Sequence, residues 1–118
     1  MLSAAIQAMI ELHLVLKAQP KRIRPLIEAL QVLADSVRSE PGCLGVELYK
    51  SVIGPHCLCY DEIWESEADL CRMLTSHHFC QLATLMELAS EPPACEFRFI
   101  NQTYGLGFAE QVRGSSLP

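Results

Sequence analysis

Tyr60, Glu62 and Trp64 are three side chains of chemical interest that occur at alternating positions. Alternate residues of a β-strand point to the same face of a sheet, so a strand here would place all three side by side. Glu62 could act as a general base in such a setting, or it could form a structural ion pair, for which Arg98 is a candidate partner. Trp64 could form one wall of a site for a flat aromatic molecule, or it could anchor a core or an interface.

Two histidines and another tyrosine are further candidates for a site. His13 lies on the more polar side of an alternating segment; it is either a base, if that side faces a cavity, or a hydrogen-bonded wall residue. Tyr49 could orient a substrate oxygen or could simply pack on a sheet face. His78 follows His77 at the start of a predicted helix, where it could line a pocket mouth or close the helix start. Adjacent helical residues point about 100° apart, so the pair is a poor chelator and no metal site is predicted.

The composition raises the question of where the apolar residues go. Half of the 118 residues are hydrophobic, and the mean hydropathy is +0.19. This length suits one domain. A domain of this size has much surface for its volume, so such a content is hard to bury in a monomer. The sequence therefore predicts a buried interface, a ligand cavity, or both.

The charge and the cysteine content limit which partners the protein is expected to bind and which cellular compartment it is expected to occupy. Nine basic and 14 acidic residues give a net charge of −5, and basic residues cluster only within residues 21–24. This pattern argues against nucleic acid and anionic membranes as partners. The six cysteines form no CxxC motif and no zinc-ligand spacing, so they are predicted to be reduced thiols that act as small hydrophobes. No uninterrupted apolar run approaches the roughly 20 residues of a membrane span, and a cytoplasmic protein is predicted.

The periodicity of the chain predicts the elements that must position these side chains. Residues 9–17 alternate as a strand, and from Ile23 the period becomes helical, with the helix start placed close to Pro25 and its end at residues 39–42. Ser66 and Ser76 are predicted to cap two later helices. The remaining predicted strands are 43–52, 57–64 and 95–100.

The order βαββαβ predicts an α+β, ferredoxin-like antiparallel sheet with helices on one face and the other face bare. Residues 1–8 are interpreted as an N-terminal lead-in, residues 9–104 as the domain, and residues 105–118, which are rich in Gly and Ser, as a C-terminal arm or flexible tail.

Three segments carry a family resemblance. SEPGCLGVELY (residues 39–49), EIWESEADL (62–70) and TSHHF (75–79) are similar, in this order, to segments of the antibiotic biosynthesis monooxygenase (ABM) domain family. The resemblance extends over about residues 9–104, and it implies a dimeric α+β barrel. Known members are cofactor-free monooxygenases of aromatic quinols or polyketides, and others cleave haem. Trp64 matches the family's strand-end tryptophan, and His78 matches the histidine of its S-P-H-F segment.

Two departures argue against haem degradation. Met73 stands where the first short helix of many members carries a histidine, and Ala83 stands where haem-degrading relatives place the axial ligand. Without an axial ligand, haem chemistry loses its anchor.

The resemblance thus implies a cofactor-independent monooxygenase that oxidises a small aromatic phenol or quinol with O₂, and the bare sheet face predicts a homodimer. His13, Glu62 and Trp64 are the predicted catalytic residues. The predicted substrate-binding residues are Tyr49, Tyr60 and His78. The alternative is a non-catalytic, small-ligand-binding or regulatory dimer of the same fold, recognised by a pocket without convergent polar groups.

Overall fold

The computed structural model describes residues 8–114, and this part of the chain forms four strands and four helices. In chain order they are β1 (Met9–Lys17), α1 (Pro20–Val37), β2 (Cys43–Lys50), β3 (Cys57–Trp64), α2 (Glu67–Leu74), α3 (His77–Met86), β4 (Ala94–Ile100) and α4 (Leu106–Gly114). The strands form one antiparallel sheet in the order β2-β3-β1-β4. The predicted α+β, ferredoxin-like fold, including its β2–β3 hairpin, is confirmed.

Strand β1 divides the sheet into two different faces. Its residues Ile10, Leu12, Leu14 and Leu16 are fully or almost fully buried, and they form the covered face together with the core residues of α1, α2 and α3. The intervening residues, among them His13, belong to the opposite face, called here the open face. The alternation of β1 therefore determines which neighbouring side chains lie under the helices.

The pairing register of β1 and β3 determines which residues of β3 lie on each face. Ile10 lies opposite Trp64, Leu12 opposite Glu62 and Leu14 opposite Tyr60. Directly paired residues of antiparallel strands share a face. The three side chains that alternate in the sequence therefore share one face, as predicted, and the structure shows that this is the covered face.

Helix α1 begins earlier than predicted. Pro20 occupies its first turn, and Pro25 lies inside the helix instead of at its start. Proline suits the first helical position because its missing N–H has no intrahelical partner there. Pro25 leaves one helical hydrogen bond unmade, but the helix continues because Leu26, Leu30 and other apolar residues pack on the core.

The loop after α1 is joined closely to the start of α2. Ser66 is the N-cap of α2, and its Oγ accepts a hydrogen bond from the Asp69 backbone N–H at 3.2 Å, so the predicted cap is confirmed. The Glu65 N–H donates to the Gly42 carbonyl at 2.8 Å. Gly42 has a φ of 86°, which favours glycine. These contacts hold residues 39–42 against α2.

Ser76 is the N-cap residue of α3, as predicted, but its side chain makes no capping hydrogen bond. Its hydroxyl donates instead to the Met73 carbonyl at 2.6 Å, in the preceding helix. The short connection between α2 and α3 explains the choice, because the last carbonyls of α2 also need partners.

The C-terminal segment contains more regular structure than its composition indicates. A helix, α4, covers Leu106–Gly114, and all of its residues are exposed. The Tyr104 and Phe108 rings stack at its start with a centroid separation of 5.1 Å. Most of the predicted lead-in and the last four residues of the predicted tail lie outside the described residues.

The cysteines have free thiols, but they do not all join the core. Cys57 is buried, Cys43 and Cys59 are partly buried, and the other three, Cys71, Cys80 and Cys95, are exposed. Of the six cysteines interpreted as small hydrophobes, three are therefore at least partly buried and three lie at the surface. Within residues 8–114, no helix combines the length and the apolar character needed to cross a membrane.

Candidate functional site

A fully buried carboxylate lies at the centre of the covered face. Glu62 has no exposed surface. Its Oε2 accepts a hydrogen bond from the Tyr60 hydroxyl at 2.5 Å, and its Oε1 accepts one from Trp64 Nε1 at 3.0 Å. His78 Nε2 lies 2.6 Å from the same Oε2. Burial of a carboxylate is unfavourable unless hydrogen bonds or an opposite charge compensate for the lost water.

These four residues, Tyr60, Glu62, Trp64 and His78, are called here the carboxylate cluster. Three of them come from alternate positions of β3, and His78 comes from the first turn of α3. His78 and Leu82 are four residues apart and share a helix face. Because Leu82 is fully buried in the core, that face is held against the sheet and directs the imidazole towards Glu62.

Tyr60 is a hydrogen-bond donor within this cluster. Burial, followed by the negative charge of Glu62 and the hydrogen bond to it, raises the pKa of Tyr60 well above its ordinary value. The side chain is fully buried and supports Glu62 from within the core. Tyr60 is absent from the lining of the cavity described next, so the structure places this predicted substrate-binding residue behind the site.

A cavity of about 260 Å³ lies at the end of the sheet beside the cluster. Trp64 and His78 form part of its wall, whereas Glu62 lies behind them. The volume is below the roughly 300–1,000 Å³ of pockets for drug-sized ligands, so the cavity suits a small molecule. Its lining comes from the end of α1, the following loop, α2 and the start of α3, and comprises Ser36, Val37, Glu40, Pro41, Trp64, Asp69, Arg72, Met73, Ser76, His77, His78 and Gln81.

The lining combines apolar walls with a charged edge. Val37 and Met73 are buried core residues. At the edge, Arg72 Nη1 lies 3.0 Å from Asp69 Oδ1. The hydrogen bond from Ser66, followed by that from Arg72, lowers the pKa of Asp69, which favours its ionised form. The cavity therefore offers apolar wall at Val37, Met73 and Trp64 within an otherwise mostly polar lining, whose ion pair can interact with polar substituents of a ligand.

The two remaining candidates, His13 and Tyr49, lie on the open face. His13 Nδ1 is 2.6 Å from Asp61 Oδ1, and the Tyr49 hydroxyl donates to Asp61 Oδ2 at 2.9 Å. Desolvation, together with the hydrogen bond and charge of Asp61, raises the pKa of Tyr49 to about 12. The open-face cluster, defined as His13, Tyr49 and Asp61, is thus separated by the sheet from the cavity beside Trp64.

The structure corrects the expected partner of Glu62. Arg98 lies on the open face, where it contacts Glu96 at 2.7 Å and Glu11 at 3.3 Å. The register pairs Arg98 with Glu11 of β1, and Glu11 is one position out of step with the buried residues. The basic side chain that contacts Glu62 is that of His78, for which the sequence predicted a place at a pocket mouth or at the helix start.

Sequence analysis also missed Asp61 and the charged lining residues. Asp61 lies directly opposite His13 in the β1–β3 register. The pairing of these two residues could therefore be predicted only if the register of the strands were known. Glu40, Asp69 and Arg72 reach the cavity because the loop and α2 pack together at that end. Among residues 8–114, no three His, Cys, Asp or Glu side chains are grouped so as to hold a metal ion.

Comparison with known proteins agrees with this fold. A protein from Mycobacterium tuberculosis has a TM-score of 0.72 and 22% identity, and the match covers 83% of this chain and 100% of that one. A candidate antibiotic biosynthesis monooxygenase from Caulobacter crescentus has a TM-score of 0.71 and 24% identity over 84% and 93% of the two chains. A conserved protein from Methanosarcina mazei has a TM-score of 0.72 and 18% identity over 83% and 98%.

No curated protein matches the sequence. The sequence model described as "Antibiotic biosynthesis monooxygenase" matches residues 9–84, which is more than half of the chain and includes β1, the carboxylate cluster and all of the cavity-lining residues. The chain therefore belongs to the antibiotic biosynthesis monooxygenase family.

Proposed function

We propose that this protein is a cofactor-independent monooxygenase that oxidises a small phenol or quinol with O₂ in the cavity beside Trp64. The observation that carries the proposal is the buried carboxylate cluster, two members of which form a wall of a small, partly apolar cavity. Family membership supports the reaction type. A flat ring against an indole, near a group that accepts a proton, is the arrangement that phenol oxidation needs.

The proposed reaction begins with transfer of the phenol proton to the cluster. The resulting phenolate carries negative charge on its ring carbons, and one of these carbons gives electrons to O₂ and forms a C–O bond. The peroxide that results takes up a proton. It then loses the ring C–H proton as its O–O bond breaks, which yields a quinone carbonyl and one water molecule. One oxygen atom of O₂ thus enters the product and the other leaves as water.

The protein's part in this reaction is to bind the ring, exclude water and move the proton. Val37 and Met73 supply buried apolar wall, and Trp64 supplies an aromatic wall. A water-poor site strengthens the electrostatic interactions that stabilise developing negative charge. His13 and Tyr49, on the open face, have no contact with this cavity, and we assign them no step of the reaction.

Oxygen uptake tests the proposal. Purified protein is incubated with small hydroquinones and phenols, and O₂ consumption is compared with that of buffer alone. We expect catalysed uptake that falls by at least about tenfold in Trp64→Phe, which loses the N–H donor and part of the wall. Val32→Ala, at a position 67% exposed on α1, is the matched control and keeps full activity. Uptake in the wild type no faster than in Trp64→Phe would contradict the proposal.

Ligand binding without turnover is the second candidate function. It is favoured by the fact that both oxygens of Glu62 already have partners. The chain contains a single tryptophan, so its fluorescence reports ligand entry directly. Phenols that change Trp64 fluorescence, with no O₂ uptake above the buffer rate, would support the binding function and contradict the monooxygenase.

We also propose that the chain forms a homodimer through the open face. Val15 and Ile63 are only partly buried there, on either side of the His13–Asp61 pair, and apolar side chains left on a sheet face favour association. The six free thiols support a reducing, cytoplasmic setting. The net charge of −5 supports a small-molecule ligand in preference to nucleic acid or an anionic membrane surface.

A further inference from the structure

Glu62 is badly placed to take a proton from a substrate. It is completely buried and is absent from the cavity lining. Its Oε1 accepts a bond from Trp64, and its Oε2 is shared by Tyr60 and His78. A substrate hydroxyl would have to displace these partners to reach either oxygen. The proton acceptor of the cluster must therefore be another of its members.

His78 has the geometry of that acceptor. Its Nε2 lies 2.6 Å from Glu62 Oε2. If Glu62 is ionised it can only accept hydrogen bonds, and the proton shared with His78 then lies on Nε2. In a neutral imidazole the other nitrogen, Nδ1, then has a free lone pair. Nδ1 is buried and has no hydrogen-bond partner among the residues described, while His78, whose side chain keeps 12% of its surface exposed, is one of the residues that line the cavity.

An unpartnered buried nitrogen is uncommon and calls for an explanation. A carboxylate that fixes the tautomer of a histidine, so that its second nitrogen is free to react, is a general arrangement in protein sites. Here the carboxylate is itself fixed, because Tyr60 and Trp64 donate to it. The missing hydrogen-bond partner of Nδ1 is explained if the hydroxyl of a bound ligand donates a hydrogen bond to it.

We propose that His78 Nδ1 is the general base that takes the phenol proton, and that Glu62 is a positioning residue that holds His78 in the Nε2–H tautomer. This inference rests on the proposed function. The O–H bond of the phenol breaks, its electron pair stays on the phenolate oxygen, and the proton forms an N–H bond at Nδ1. The imidazolium so formed remains paired with the Glu62 carboxylate. The proton is returned when the peroxide is protonated.

Other titratable groups either surround His78 within the cluster or line the cavity, and their titrations must be separated from that of His78 in any pH study. Tyr60 and Glu62 approach from β3, and His77 lies beside His78 on α3. The rest of the charged lining consists of Glu40, Asp69 and Arg72.

The ring nitrogens of His78 can be observed directly by ¹⁵N NMR of the wild-type protein at neutral pH. We expect a protonated Nε2 and an unprotonated Nδ1, and we expect a saturating phenol to shift the Nδ1 resonance much more than that of Nε2. A proton on Nδ1 in the free protein, or an Nδ1 resonance that does not respond to bound phenol, would overturn the inference. Neither observation needs turnover, so absence of O₂ uptake would contradict only the proposed function.

Variants then test the two roles separately. His78→Gln should lower kcat/KM by about 100-fold or more, while phenol still changes Trp64 fluorescence. Glu62→Gln should mix the two His78 tautomers in the NMR spectrum, which a merely structural role would not do. His56→Asn is the matched histidine control, because His56 is exposed in the β2–β3 turn and its φ of 59° suits asparagine. Full activity in His78→Gln would overturn the assignment, and the wild-type spectrum decides the case if Glu62→Gln does not fold.

Discussion

At the scale of single residues, alternation predicts which side chains meet along one strand. Tyr60, Glu62 and Trp64 could be placed on one face from the sequence, because a strand repeats every two residues. The contact between Glu62 and His78 could not, since it joins a strand to a helix 16 residues further along the chain. The direction in which a helix presents its first turn depends on packing, here that of Leu82, and not on local periodicity.

His13 shows the converse limit. Its position on the polar side of β1 was predicted correctly, but the cavity of about 440 Å³ on that side is lined by Asp61 and Glu11 and not by His13. The structure gives this face its own cluster with Asp61 and Tyr49. The hydrogen bond with the Asp61 carboxylate thus accounts for a histidine at position 13 without a role in the reaction.

The open-face cluster makes a prediction about alkaline pH. The pKa of Tyr49 is raised from 10.0 to about 12, chiefly by desolvation and then by Asp61. Because folding favours the neutral phenol, the stability that this group contributes is complete below about pH 10 and is lost as the pH rises towards 12. Tyrosinate absorbance in the wild type minus that in Tyr49→Phe isolates this titration.

Asp61→Asn supplies the control for this titration. The variant removes the negative charge beside the hydroxyl, so we expect the Tyr49 pKa to move down towards 10.0. A Tyr49 transition already near 10.0 in the folded wild type would contradict the prediction.

At the scale of elements, local signals were reliable where the chain makes local hydrogen bonds. The Ser66 cap was predicted because its partner, Asp69, is three residues away. The start of α1 was not predicted, because packing of the helix on the core allows Pro25 to lie inside it. The hydrogen bond of Ser76 was not predicted either, because its hydroxyl donates to the Met73 carbonyl in the preceding helix. Helix α4 was not predicted, because glycine has a low helix propensity and the glycines of this segment indicated irregular structure.

The joint between the 39–42 loop and α2 makes a prediction about stability. Gly42 has a positive φ, and a Cβ added there would overlap the Asp69 carboxyl group. We expect Gly42→Ala to lower the free energy of unfolding by about 1–3 kcal/mol. Denaturant unfolding measures the change.

Gly45→Ala is the matched control for that experiment. Gly45 lies in β2 with open space around the position of an added Cβ, so we expect a change within about 0.5 kcal/mol of the wild type. Equal midpoints for the two variants would contradict the role assigned to Gly42.

At the scale of the whole molecule, packing of the helices on the sheet buries only part of the chain's apolar side chains. They cover the middle of the sheet, but Phe97 and Phe99 of the edge strand β4 remain 40% and 54% exposed. Helix α4 exposes further apolar side chains, Leu106, Phe108 and Val112. A small domain with this much apolar surface is expected to associate.

Light scattering at micromolar concentration tests association. We expect a mass of twice the 13.1 kDa of the chain. Val15→Glu places a charge in the middle of the open face and should weaken the dimer at least about tenfold. Val32→Glu, on the exposed side of α1, should leave it intact. A wild-type mass of a single chain would contradict the dimer.

The measurement that bears most directly on the proposed function is the fate of the oxygen atoms. A small phenol with a free ring position is incubated with the protein under ¹⁸O₂, and the quinone is examined by mass spectrometry. The proposed reaction predicts one ¹⁸O atom in each quinone molecule and the other in water, with the yield dependent on Trp64 and His78. Unlabelled quinone, or labelled quinone formed equally well by Trp64→Phe, would contradict a monooxygenase in this cavity.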